Sequence, residues 1–173
     1  MTISLYAATV PSYCQILEAV SAFLDKAEAF CDEAGIDQSD IIQARLADDM
    51  LPFAFQVKST AIHSLGAIEG VRKGTFSPDR TPPPETFAAL KERIAATLTA
   101  LRAIEPAEME GFIGRDMRFE AGDFVVNFTA EDFLLSFSQP NFYFHAATAY
   151  DILRWKGVNV GKRDFMGQLR RKA

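Results

Sequence analysis

From Thr2 to about Ala34 the apolar residues Ile3, Tyr6, Val10, Tyr13, Leu17, Val20, Leu24, Ala27 and Cys31 recur at spacings of three and four. That period predicts a helix over 2–34 with one stripe facing a bundle core. Pro11 removes an amide donor from the stripe, which predicts a kink there or a helix that starts at Pro11, and Gly35 closes the element. After a polar connection, Asp48, Asp49 and Pro52 suit a helix N-terminus, and the period predicts a second helix over 50–69. At about 100° per residue, Ala54, Val57, Ala61, Ile62, Leu65 and Ile68 share one face, while Gln56, Ser59 and His63 fall opposite, toward solvent or a partner. If that helix is wrapped on both sides, the same polar stripe lines a cleft in which Gln56, Ser59 and His63 orient a ligand.

The stretch VRKGTFSPDRTPPP, Val71 to Pro84, carries no hydrophobic period and three consecutive prolines, so it reads as a loop. A connection this long suits a crossover between parallel helices. A third helix over 84–104 follows, with Phe87, Leu90, Ile94, Leu98, Leu101 and Ile104 as its stripe and Pro106 as its end. Between residues 116 and 128 the period shortens to two around Glu120-Ala121-Gly122-Asp123, a hairpin pattern. Thr129 with Asp132 caps a short helix through FLLSF, and Pro140 starts a last helix over 140–156 that Gly157 terminates, leaving a tail over 157–173. The expected fold class is mainly α: a four-helix bundle with a small β-hairpin before the last helix, in one domain spanning 1–173.

Composition narrows the function. With 173 residues, 49% of them hydrophobic and 24% charged, the chain is of single-domain size and globular character. A net charge of −5 argues against nucleic acid as a partner, and no apolar run reaches the roughly 18 to 20 residues that span a bilayer. No export signal is expected at the N-terminus, and Cys14 and Cys31 are too far apart along one helix to pair, so the expectation is a cytoplasmic protein with reduced thiols. Arg154, Lys156, Lys162, Arg163, Arg170, Arg171 and Lys172 crowd the C-terminal end against Asp164 alone, as a solvated balance to an acidic body or as an anion site. The fifteen phenylalanines, dense in FVVNFTAEDFLLSFSQPNFYF, suit a core or a homodimer interface.

The phosphate-binding, serine-hydrolase and zinc-protease motifs are absent, and with two histidines in the chain a three-histidine metal site is out of reach. His145 falls between Phe142, Ala149 and Ile152 on the apolar face of the last helix, so its imidazole points inward and needs a partner. Asn141, Thr148, a seam tyrosine and Asp49 are the candidates. It is either a satisfied core histidine that fixes helix packing or a ligand or general base. The residues that stand as candidates for binding a small molecule are His145, Asn141, Tyr13, Gln56 and Ser59; those for a metal are His145, His63 and Asp49. Asp48 and Asp49 otherwise serve the helix N-terminus, and buried Tyr6 or Tyr13 hydroxyls would need partners.

The run PNFYFHAATAYDILRWKGVNVGKRDFMG, Pro140 to Gly167, resembles the C-terminal signature of a bacterial domain-of-unknown-function branch of the DinB/YfiT-like superfamily. DMLPFAFQV, ending at Val57, and ETFAALKERIAATL, Glu85 to Leu98, resemble that branch's second and third helices in order. The resemblance implies an up-down-down-up bundle. In the wider superfamily it also implies three histidines on helices two and four around a divalent metal such as Zn or Ni, and thiol-dependent transferases or isomerases. His145 matches the first histidine of the helix-four pair, the second position is Ala149, and His63 stands on the helix that carries the third. Two expectations follow: a metal-free small-ligand-binding or helper protein with an incomplete metal site, or a divalent-metal-dependent transferase or hydrolase centred on His145.

Overall fold

The computed structural model describes residues 3–172. Helix α1 spans Leu5–Ala34, with the Ser4 hydroxyl accepting from Ala7 N at one end and Gly35, at φ 64°, closing the other. The helix passes through Pro11 instead of starting there. Its stripe is buried from Val10 to Cys31, whereas Ile3 lies exposed ahead of the helix, outside the expected seam. A short α2 (Ser39–Ile42) drops Ile41 and Ile42 into the core.

The second bundle helix is built from three pieces: α3 (Phe53–Ala61), a π-helical turn over Ile62–Gly66, and α4 (Ala67–Lys73). It runs four residues beyond the expected end. A strand the sequence pattern missed, β1 (Thr75–Phe76), occupies the start of the expected loop. Helix α5 (Phe87–Arg102) is capped by Thr86, whose Oγ1 accepts from Ala89 N, and its expected stripe is buried throughout. Pro106 does not simply end it but opens a further short helix, α6 (Pro106–Glu110).

The hairpin forms as expected from β2 (Asp116–Ala121) and β3 (Phe124–Thr129), turning at Gly122 with φ 64°. β1 adds to β2 in parallel, Phe76 opposite Phe119, giving the order β1-β2-β3. Thr129 caps α7 (Ala130–Asp132), which runs through a second π turn, Phe133–Ser138, into α8 (Gln139–Trp155). After Gly157, α9 (Lys162–Met166) packs on α1.

Named contacts fix the helix directions. Gln139, opening α8, donates to Ala8 O near the start of α1, and Lys26 further along α1 reaches Asn159 O just past the end of α8, so these two run parallel. Lys91 pairs with Asp25 and Glu28 while Arg102 pairs with Glu18, which sets α5 against α1. Gln56 meets His145 and His63 meets Ser138, which sets α3 against α8. The bundle is therefore up-down-down-up, with the long connection crossing between its second and third long helices. Among the described residues no helix is long and apolar enough to cross a membrane.

Candidate functional site

Helix α3 is enclosed on every side. Ala54 and Val57 face the core, but Gln56, Lys58, Ser59 and Thr60 are buried as well, so the polar stripe does not lean to solvent. The cause is tertiary: α8 covers that stripe, and the π turns at Ile62–Gly66 and Phe133–Ser138 meet where the Ser138 hydroxyl donates to His63 O at 3.0 Å. The expected outward direction of His63 is thereby corrected. His63 and His145 stack with ring centroids 5.6 Å apart and planes 17° from parallel. With Gln56 behind His145, they bring together three of the residues the sequence singled out.

Hydrogen-bond accounting fixes the state of both rings. Gln56 Nε2 donates to Leu51 O at 2.8 Å, which orients the amide so that its Oε1 accepts from His145 Nδ1–H at 2.7 Å. The one proton of Ser138 Oγ goes to His63 O, the shorter of its two contacts, so at 3.3 Å the hydroxyl oxygen accepts from His63 Nδ1–H. Each imidazole is thus held with its proton on Nδ1 and a lone pair on Nε2, and neither Nε2 has a partner among the described residues. Burial lowers the pKa of His63 to about 4, helped by neighbouring His145, and burial lowers that of His145 to about 4 as well. Both rings are neutral at physiological pH.

These groups line a cavity of about 180 Å³ whose other walls are the rings of Phe55, Phe76, Phe119 and Phe137, with Ser59, Asn141 and Pro78 between them. Ser59 Oγ makes no hydrogen bond among the described residues, and Asn141 spends an amide proton on Phe137 O, leaving its Oδ1 free. Asp79 also reaches the wall. Its carboxylate is taken by the fully buried Lys58 ammonium at 3.1 Å and by the Thr81 amide and hydroxyl. Against the effect of burial, these hydrogen bonds hold the Asp79 pKa down at about 2. A larger groove of about 470 Å³ lies on the other side of the π turn, sharing Ile62, Phe76 and Asp79 with the cleft. It is edged by exposed Glu69 and Lys73, and both imidazoles belong to the smaller cavity.

Other candidates lie elsewhere. Tyr13 is sealed in the core, its ring 4.8 Å from that of Phe142 and its hydroxyl without a partner, and it does not line the cleft. Asp49 and Asp48 stand exposed before α3 and join neither histidine. Thr148 bonds its own helix at Phe144 O. The sequence pattern missed Ser138, Lys58 and the aromatic walls. A lysine beside Val57 on a helix already apolar around it was the available signal for the second of these.

Whether the donor set suits the divalent metal that the resemblance implies turns on how many ligands are free. Two Nε2 atoms are available, each ring anchored at Nδ1 as metal-bound histidines are. The helix-four position that would supply the missing ligand is Ala149, a buried methyl, and Asp79 is committed to Lys58 and Thr81. Among the described residues no group of three or more His, Cys, Asp or Glu side chains is placed to hold a metal ion. The residues present do not fit a centre built on three protein ligands.

Comparison with known proteins bears out the fold. No curated protein matches the chain. A crystal structure of a DinB family member protein from Shewanella denitrificans superposes with a TM-score of 0.81 at 29% identity, covering 98% of this chain and 95% of that one. The family model for a domain of unknown function, DUF1993, matches residues 5–166. With a DinB-like bundle around it and that model matched over nearly its whole length, the chain belongs to the DUF1993 family.

Proposed function

We propose that the cleft binds a small organic molecule without a resident metal, and that His63 and His145 recognise it as neutral hydrogen-bond acceptors. The observation that carries this reading is the pair of imidazoles fixed by Gln56 and Ser138 with both Nε2 lone pairs uncommitted in an aromatic-walled cavity. Both rings are half-buried and line the cavity, so a molecule that enters it meets their free lone pairs directly. A cavity lined by aromatic rings with a few convergent polar groups is the usual form of a small-molecule site. The unpaired Cys14 and Cys31 are in keeping with a reducing, cytoplasmic setting. Exposed Phe124, Phe144 and Trp155 support association of two copies, and sedimentation equilibrium showing monomer alone at 100-fold dilution and at stock concentration would remove that part of the reading.

The second reading is a divalent-metal-dependent transferase or hydrolase centred on His145. Its support is the same Nδ1 anchoring, which matches the way metal-bound histidines are held. The two are separated by elemental analysis of untagged protein, purified without chelator and again after saturation with zinc, nickel and manganese, beside His145→Ala treated identically. Less than a tenth of an equivalent in both proteins is the expected result. Near one equivalent in the parent, lost in His145→Ala, would overturn the metal-free reading in favour of the second.

A further inference from the structure

Resting on the reading of the cleft as a small-molecule site, we propose that its ligand is an uncharged, single-ring molecule carrying a hydroxyl or N–H donor, bound with that proton on the Nε2 atom of His63 or of His145. The polar inventory of the cavity is biased toward acceptance. Two imidazole lone pairs and Asn141 Oδ1 wait for protons, against one remaining Asn141 N–H and the Ser59 hydroxyl, which both gives and takes. A ligand rich in acceptors would set lone pair against lone pair. An anion fares worse still, because the Lys58 ammonium that could answer it is spent on Asp79, Thr81 O and Thr81 Oγ1, and Arg93 also faces Asp79. A cation meets the converse difficulty: Asp79, the carboxylate in the wall, is already paired with Lys58 and Arg93, so an ammonium would give up its hydration for neutral acceptors and phenyl faces with no counter-charge. Size then sets the scale. A cavity of about 180 Å³ matches a single ring with one or two substituents, since an apolar cavity of roughly 150 Å³ admits benzene. Phe55, Phe76, Phe119 and Phe137 offer faces and edges for such a ring.

The chain has two histidines, so in protein labelled with ¹⁵N-histidine every imidazole signal belongs to this site. Phenol, anisole, benzoate and benzylammonium are titrated at pH 7.5, following the Nε2 resonances. Phenol is expected to saturate and move both of them, with anisole weaker by about tenfold, the worth of an acceptor left unpaired, and benzoate and benzylammonium weaker by at least as much because no free counter-charge lines the cavity. In at least one of His145→Phe and His63→Phe, each of which keeps an aromatic ring in place, the preference for phenol over anisole should shrink to less than threefold. Anisole binding as well as phenol, or either charged probe binding more tightly, would overturn the donor assignment while leaving the cleft a small-molecule site. Discrimination that survives in both Phe variants overturns it too. No saturable shift with any of the four would instead bring down the underlying reading, and this inference with it.

Discussion

Gln56 shows how one side chain sets the chemistry of another. Its amide is oriented by Leu51 O and in turn fixes the proton of His145 on Nδ1. Replacing it, Gln56→Leu, leaves a part-buried imidazole N–H unpaired. The expected costs are about 1–2 kcal/mol in urea denaturation and a mixture of His145 tautomers in ¹⁵N imidazole spectra. The two rings also make stability depend on pH with a definite sign. Above pH 6.5 they are neutral in folded and unfolded chains alike and contribute no slope. As pH falls from 6.5 to about 4 the unfolded chain takes up protons that the folded one refuses, so stability drops, by on the order of 3 kcal/mol for each ring at the lower end. Asp79 acts over a lower window: ionised in the fold down to about 2, it adds stability above pH 3.8 that is lost as pH falls toward 2. Denaturation midpoints measured from pH 8 to 4 should therefore fall below 6.5, and His63→Phe should flatten the profile; an unchanged slope in that variant would refute the assignment. At this scale the sequence was partly legible. The inward placement of His145 follows from helical spacing, but its partner does not, because Gln56 is 89 residues away and belongs to another helix.

Between elements, the loop that follows β1 is held down by a buried cation. Lys58 lies on α3 with no exposed side-chain surface and binds Asp79 and Thr81, so the loop forms a wall of the cleft at Pro78 and Asp79. Lys58→Met removes one partner of this cluster. The expected loss is about 3 kcal/mol, near the low end for a broken buried pair because Asp79 keeps part of its hydration and its contact with Arg93. Trypsin should then cut after the exposed Arg80 at least tenfold faster, and an unchanged cleavage rate would show that the ion pair does not restrain the loop. A second close fit joins α4 to β1: a Cβ on Gly70 would meet Phe76 Cβ at 3.0 Å and Cδ2 at 3.1 Å. Gly70→Ala is expected to cost about 1–3 kcal/mol in thermal or urea unfolding by displacing Phe76, despite alanine's better helix propensity. The long helices and the hairpin were readable because each carries its own period. β1 was not, since two residues cannot show alternation and their partner strand lies more than 40 residues later. The π turns escaped for a related reason: an extra residue per turn shifts the phase of the helix beyond it, and Ile62-His63-Ser64-Leu65-Gly66 bears no mark of that shift.

Across the whole molecule, the up-down-down-up arrangement brings α3 and α8 together antiparallel, and it is this pairing that assembles the cleft from residues 56–63 and 138–145. The C-terminal segment belongs to a different part of the bundle. Its backbone and non-basic side chains hold it as a strap along the bundle, with Lys26 on Asp164 at 2.7 Å, Gln15 Nε2 on Met166 O at 2.8 Å, and Phe165 against Tyr150, while Lys162, Arg163, Arg170, Arg171 and Lys172 stay exposed. Gly167, at φ 61°, lets the chain lie close against α1, where a Cβ would stand 3.1 Å from Gln15 O and 3.3 Å from Ala19 Cβ. None of these residues lines the cleft, so stability and binding should separate. Removing residues 162–173 strips three polar contacts from α1, at Lys26, Gln15 and Ser12, and an aromatic contact from Tyr150 of α8, and is expected to cost about 2–3 kcal/mol, a fall of roughly 5–10 °C in Tm for a chain of this size. Removing residues 168–173 alone, which takes away the Arg170 contact with Ser12, should shift Tm by less than about 2 °C. Both truncated proteins should retain the phenol-induced shifts of His63 and His145. Loss of those shifts in the longer truncation, with the helical signal intact, would show that the strap reaches the cleft through α1 and that stability and binding are coupled in this bundle.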